Sequence, residues 1–180
     1  MRKIVLTYGL ISGCLLAVLM TISMYFHDQL SDYALTLGYT SMVAAFLVVH
    51  FGMRSYRDNV LGGVISFGAA FKTGMWITLI TCAFYVASWE VVYHTMMPDF
   101  EVTYAAKTVE RVKASGASQT QIDATVAEME QFKQSYKNPV YVVGMTFLEV
   151  FPVGLVFALV GAAVLSRKKG AAMQARPMVS

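Results

Sequence analysis

The sequence predicts an all-α membrane protein: four transmembrane helices with a polar extracytoplasmic helical hairpin between the third and the fourth. Three observations lead there. The 180 residues are 57% apolar and 14% charged, with a mean hydropathy of +0.56, whereas a soluble domain carries roughly 25% charged residues. Four apolar runs are long enough to cross a bilayer, which takes about 20 helical residues. One internal stretch, 94–138, interrupts them with charges of both signs. The whole chain is therefore read as a single membrane domain, with transmembrane helices at about 4–26, 33–51, 73–93 and 140–165.

Arg2 and Lys3 precede the first apolar run, Ile4 to Phe26. It is too long for a typical secretory leader, and Ser23-Met24-Tyr25-Phe26 offers no small-x-small cleavage site. It is expected to be a retained span. Gly9, Gly13 and Ala17 share one face of it, and small residues at that spacing let a second helix approach, in the same chain or in another copy. His27 to Asp32 is a short polar turn, so the second helix is an antiparallel neighbour of the first.

The second helix is expected to stop at Gly52, ahead of Arg54, Arg57 and Asp58. The glycine-rich segment 60–72 is too short to span and reads as an interfacial or short re-entrant piece. The third helix then carries Trp76 and Trp89 near its two ends, where aromatic belts lie.

Pro98 opens the polar insert. Phe100, Val102, Ala105, Ala106, Val109 and Val112 recur at helical spacing up to Gly116, and Ile122, Val126, Met129 and Phe132 do so beyond it. Ser118 and Gln121 have the form of a capping box. A helical hairpin that packs along this stripe is the simplest reading. Asn138 and Pro139 then open the fourth helix as cap and first residue, on which Gly154, Ala158 and Ala162 repeat the small-residue spacing.

Basic residues set the orientation. Arg2 and Lys3 precede the first helix, Arg54, Arg57 and Lys72 lie between the second and third, and Arg167, Lys168, Lys169 and Arg176 follow the fourth; these three segments hold the single acid Asp58, while the insert mixes both signs. The positive-inside rule puts both termini in the cytoplasm and 94–138 outside, in the periplasm of a Gram-negative host.

Arg54-Ser55-Tyr56-Arg57-Asp58 followed by Gly62 to Gly74, and Tyr136-Lys137-Asn138-Pro139 leading to Met145 to Gly154, resemble the two signature stretches of the DUF4199 family. That resemblance covers essentially the whole chain. It implies a bacterial, Bacteroidota-type inner-membrane protein and supplies no chemistry, the family being of unknown function.

Two constellations carry the candidate chemistry. Glu149 is a carboxylate in an apolar run, and an ionisable group at membrane depth marks a functional site by default. Glu90 and His94, four residues apart on one helix face, and His27 at the end of the first helix are its candidate companions at the outer end of the bundle. Together they would form a proton relay or a carboxylate–imidazole metal site. The bland alternative is headgroup water for Glu90 and His94 and a hydrogen bond for Glu149. Pro152, three residues past Glu149, is a fixed kink or a hinge. The second constellation is Arg54, Arg57 and Lys72 with Gly62 and Gly63, a basic loop that either cradles an anionic lipid phosphate or only sets topology.

The two cysteines, Cys14 and Cys82, lie in apolar runs and suggest packing rather than a disulfide or zinc site. No HExxH, GxSxG or phosphate-loop sequence is present, which argues against an enzyme and leaves no cofactor expected. The expected partners are membrane lipids, a second copy or a partner membrane protein, and no nucleic acid. The leading functional expectation is a non-enzymatic accessory or scaffold protein of the inner membrane. The alternatives are a small transporter or proton-coupled permease component using Glu149, and a membrane enzyme acting on a lipid or envelope substrate.

Overall fold

The computed structural model describes residues 1–26 and 33–167. Among them are six helices: α1 (Arg2–Tyr25), α2 (Ala34–Asn59), α3 (Phe67–Thr95), α4 (Phe100–Ala114), α5 (Gln119–Tyr136) and α6 (Pro139–Ser166). Four of them, α1, α2, α3 and α6, are long and apolar enough to cross a membrane. The chain divides into two compact units, Met1–Ser88 with Phe147–Ser180, and Trp89–Thr146.

In the first unit, close contacts fix the direction of each helix. Gly9 and Gly13 of α1 meet Ile80 and Phe84 of α3 in ascending order, so these helices are parallel. Tyr8 meets Gly52, and the Ser12 hydroxyl donates to the Ala45 carbonyl at 2.8 Å, so α1 and α2 are antiparallel. Gly74 faces Ala158 and Gly154 faces Thr78, making α3 and α6 antiparallel, while Phe46 and His50 of α2 meet Gly154 and Gly161 of α6 in parallel. Up-down-up-down packing follows. It gathers Arg2, Lys3, Arg54, Arg57, Lys72 and Arg167 toward one end of the bundle.

Several hydroxyls on these helices are satisfied within their own helix, whereas the buried Thr78 hydroxyl has no hydrogen-bond partner among the described residues. Thr21, Thr73, Thr81 and Ser88 donate to carbonyls four residues back, the usual local solution for hydroxyls in an apolar helix. The bundle interior is filled by Leu16, Phe46, Val49, Met53, Ile77 and Val150.

The expected boundaries around the second helix differ from the observed ones. α2 runs to Asn59 and α3 begins at Phe67, so 60–66 is a turn and no separate interfacial or re-entrant piece lies between them. Gly52 is no stop. It is a site of close approach, where a Cβ would stand 2.6 Å from Ile77 Cδ1 and 2.9 Å from Tyr8 Cβ. The reversal is made by Gly62 and Gly63, at φ +67° and +92°, a backbone region open to glycine at little cost. Ser66 Oγ then accepts from the Ala69 N–H at 3.3 Å and opens α3.

The second unit holds the hairpin. α4 ends at Ala114, and Gly116, with φ +76°, turns the chain just beyond it. α5 opens on a complete capping box between Ser118 and Gln121. Asn138 Oδ1 accepts from the Val140 N–H at 3.0 Å and caps α6. Trp89 lies near the end of α3 and is buried, its indole N–H donating to the Tyr136 hydroxyl at 2.9 Å. Phe100 packs edge-on against Trp89 at 4.8 Å, and Phe132, tilted, and Tyr93, edge-on, pack against Tyr136 at 5.0 and 5.4 Å.

Candidate functional site

Glu149 sits ten residues into α6, about 15 Å along the helix axis from Pro139. Its side chain is exposed on the surface of the bundle rather than enclosed in it, and its partner is the buried Tyr85 of α3, whose hydroxyl hydrogen-bonds the carboxyl. No sequence signal pairs two residues this far apart. Pro152 lies inside the continuous α6. Its ring carries no N–H, so the Leu148 carbonyl, beside Glu149, lacks its normal donor. One turn of the helix therefore presents a carboxyl beside a carbonyl freed of its helical donor, next to apolar surface such as the exposed Leu148.

Glu90 and His94 belong to the second unit. His94 is exposed, and its Nδ1 lies 2.8 Å from the Glu90 carbonyl and 3.8 Å from Glu90 Oε2. A carbonyl can only accept, so Nδ1 is the donor in that contact. Glu90 Oε1 is buried without a hydrogen-bond partner among the described residues. The neighbouring Tyr93 hydroxyl donates to Glu101 Oε2 at 3.2 Å. His27 lies outside the described residues. Among the described residues no three His, Cys, Asp or Glu side chains come together to hold a metal ion.

The basic constellation divides into spent and available groups. Arg57 is almost fully buried and grips Asp58 with two bonds, Nε to Oδ1 at 2.6 Å and Nη2 to Oδ2 at 3.1 Å. Such paired, charge-assisted bonds are the strong ones, and they leave Arg57 little capacity for a phosphate. Gly63 N–H is equally committed, donating to the Arg57 carbonyl at 2.9 Å. Positive φ explains both glycines without a ligand. Arg54, with 60% of its side chain exposed and only a 3.4 Å contact to Asp58, remains open to solvent or headgroups, as does the exposed Lys72.

Both small-residue faces are filled from within the chain. A Cβ at Gly9 or Gly13 would fall within 2.9 Å of Ile80 or 2.7 Å of Phe84, and one at Gly154 within 2.4 Å of Thr78. Ala158 and Ala162 are fully buried. These faces serve intramolecular packing.

Two surface grooves escaped the sequence reading. One lies between α4 and α5, about 390 Å³, with Val102, Ala105, Val109, Val126 and Met129 along its walls and Glu110, Lys113, Glu130 and Lys133 around them. The apolar spacing of both helices was visible, but not that the two stripes fail to close over each other. The other lies between α2 and α6 and is apolar but for His50.

The family model described as "Protein of unknown function (DUF4199)" matches residues 7–167. The chain belongs to the DUF4199 family. Both stretches that carry the resemblance fall inside that match. No curated protein and no solved structure matches the chain.

Proposed function

We propose that this DUF4199 protein is a non-enzymatic accessory or scaffold protein of the bacterial inner membrane, whose hairpin seizes an amphipathic helix of a partner protein. The groove between α4 and α5 carries this reading. Val102 and Val126 are exposed by 52% and 47% along the hairpin groove, and an apolar trough with charges of both signs at its rim suits an amphipathic helix. The hairpin bears this role alone, because the small-residue faces of α1 and α6 are occupied within the chain. Both termini are assigned to the cytoplasm and the hairpin to the periplasm, supported by the basic residues that share one end of the bundle.

A photo-reactive residue at Val126, activated in intact cells, tests this. The expected result is one recurrent adduct that disappears when Val102→Glu places a charge in the trough. Recovery of monomer alone, or of adducts indifferent to Val102→Glu, overturns the reading.

Glu149 supports a second reading, a small proton-coupled permease component. An exposed carboxyl at membrane depth with one phenol partner is poised to exchange a proton or bind a cation. Reconstituted vesicles carrying a pH-sensitive dye should lose proton flux with Glu149→Gln and retain most of it with Tyr85→Phe. Unchanged flux in Glu149→Gln removes this alternative.

A further inference from the structure

The groove between α2 and α6 encloses about 420 Å³ and is walled by Leu47, His50, Phe157, Val160, Gly161 and Val164. Both helices are candidate spans, so this trough faces the apolar part of a bilayer. An imidazole is out of place there. A polar ring in an apolar setting costs free energy unless something hydrogen-bonds it, and no group among the described residues does so for His50. The fold also makes room for it: a Cβ at Gly161 would stand 3.2 Å from His50 Nδ1.

One end of the groove is cationic. Arg54 follows His50 by four residues, on the same face of α2, and Arg167 follows Val164 by three on α6. The helices are parallel, with His50 beside Gly161. That register sets Arg54 and Arg167 within about 3 Å of the same level along the bundle axis.

We propose that this groove is a binding site for an anionic phospholipid. One acyl chain lies against Leu47, Phe157, Val160 and Val164, and the phosphate is held by Arg54 and Arg167. His50, about 6 Å deeper than Arg54 along α2, donates a ring N–H to an ester oxygen of the glycerol backbone, which lies deeper than the phosphate. A second transmembrane helix fits less well. Close helix approach needs small residues, whereas the α6 rim is Val156, Val160 and Val164, and Gly161 is taken up by the His50 ring.

Native mass spectrometry of the full chain, released from nanodiscs of equal phosphatidylglycerol and phosphatidylcholine, tests the site. The wild type should retain one phosphatidylglycerol in preference to phosphatidylcholine. Arg54→Gln and Arg167→Gln should each reduce that preference about fivefold, the effect of one cation near an anionic headgroup, while Arg2→Gln leaves it unchanged. Val160→Trp fills the groove from a residue that is 56% exposed, so the core is untouched, and it should strip both lipids. Val164→Trp, also at an exposed position, serves the same purpose if the first variant folds poorly. Equal retention of the two lipids by the wild type overturns the proposal. So does full retention in both tryptophan variants, or a dimer without lipid that Val160→Trp dissociates, which would give the groove to a second copy.

Discussion

The two grooves are almost the same size, about 390 Å³ in the hairpin and about 420 Å³ between α2 and α6, yet their walls are opposites. The hairpin groove is an apolar trough bordered by Glu110, Lys113, Glu130 and Lys133; the α2–α6 groove has an apolar lining of aliphatic side chains and Phe157, with one imidazole and arginines only beyond its end. In water an apolar trough selects its occupant by the charges at its rim. In a bilayer the surrounding medium is already apolar, so a trough there gains specificity only from its polar exceptions. The informative residues are therefore the charges of the first groove and His50, Arg54 and Arg167 of the second.

Adding a methyl group should separate packed interior from open groove most sharply. Gly154→Ala must displace Thr78 and Phe46, both closer than 2.9 Å to the new atom, and should cost about 1–3 kcal/mol. Gly161→Ala meets only His50 and the flexible Met53 at 3.2–3.3 Å, and should cost under about 1 kcal/mol. Thermal unfolding in detergent compares them, and equal losses would erase the distinction between interior and groove wall. In the hairpin unit, Trp89→Phe removes the bond to Tyr136 inside an aromatic cluster and should cost about 1–2 kcal/mol, read as faster hydrogen exchange in α4 and α5. Ser118→Ala should cost about 0.5–1 kcal/mol through the lost cap, confined to exchange in the first turn of α5.

The smallest effect is electrostatic and belongs to the hairpin groove alone. The Lys133 ammonium, and after it the Gln134 amide, holds the Glu130 carboxyl below its ordinary range. A depressed carboxyl contributes stability above its unfolded-state value and loses it as pH falls through the folded one. Hairpin melting should thus drop slightly on acidification below the usual glutamate range, and Glu130→Gln should flatten that slope.

Much of the architecture was legible because it is written locally. Span length, the capping box at Ser118, the stop at Gly116 and the cap at Asn138 each depend on a few adjacent residues. What was hidden depends on partners far along the chain. Gly52 resembles a helix stop until Tyr8 and Ile77 are seen against it. Trp89 stands out near a helix end, but its partner Tyr136, which accepts its N–H, is 47 residues away. Glu149 was conspicuous as a carboxylate in an apolar run, but its exposure and its Tyr85 partner come from the packing of α3 on α6. His50 went unremarked, because a single histidine in a helix acquires meaning only from the surface around it.

The Trp89–Tyr136 bond also has a consequence for how the chain can be altered. It clasps the two ends of the hairpin excursion, so everything between them is a closed appendage whose length is nearly free. Lengthening a closed loop twofold costs only about 0.6 kcal/mol, and the tip at Gly116 is exposed. An epitope or a whole small domain spliced in at that tip should be carried without penalty to the clasp, making the hairpin a natural handle for displaying foreign sequence.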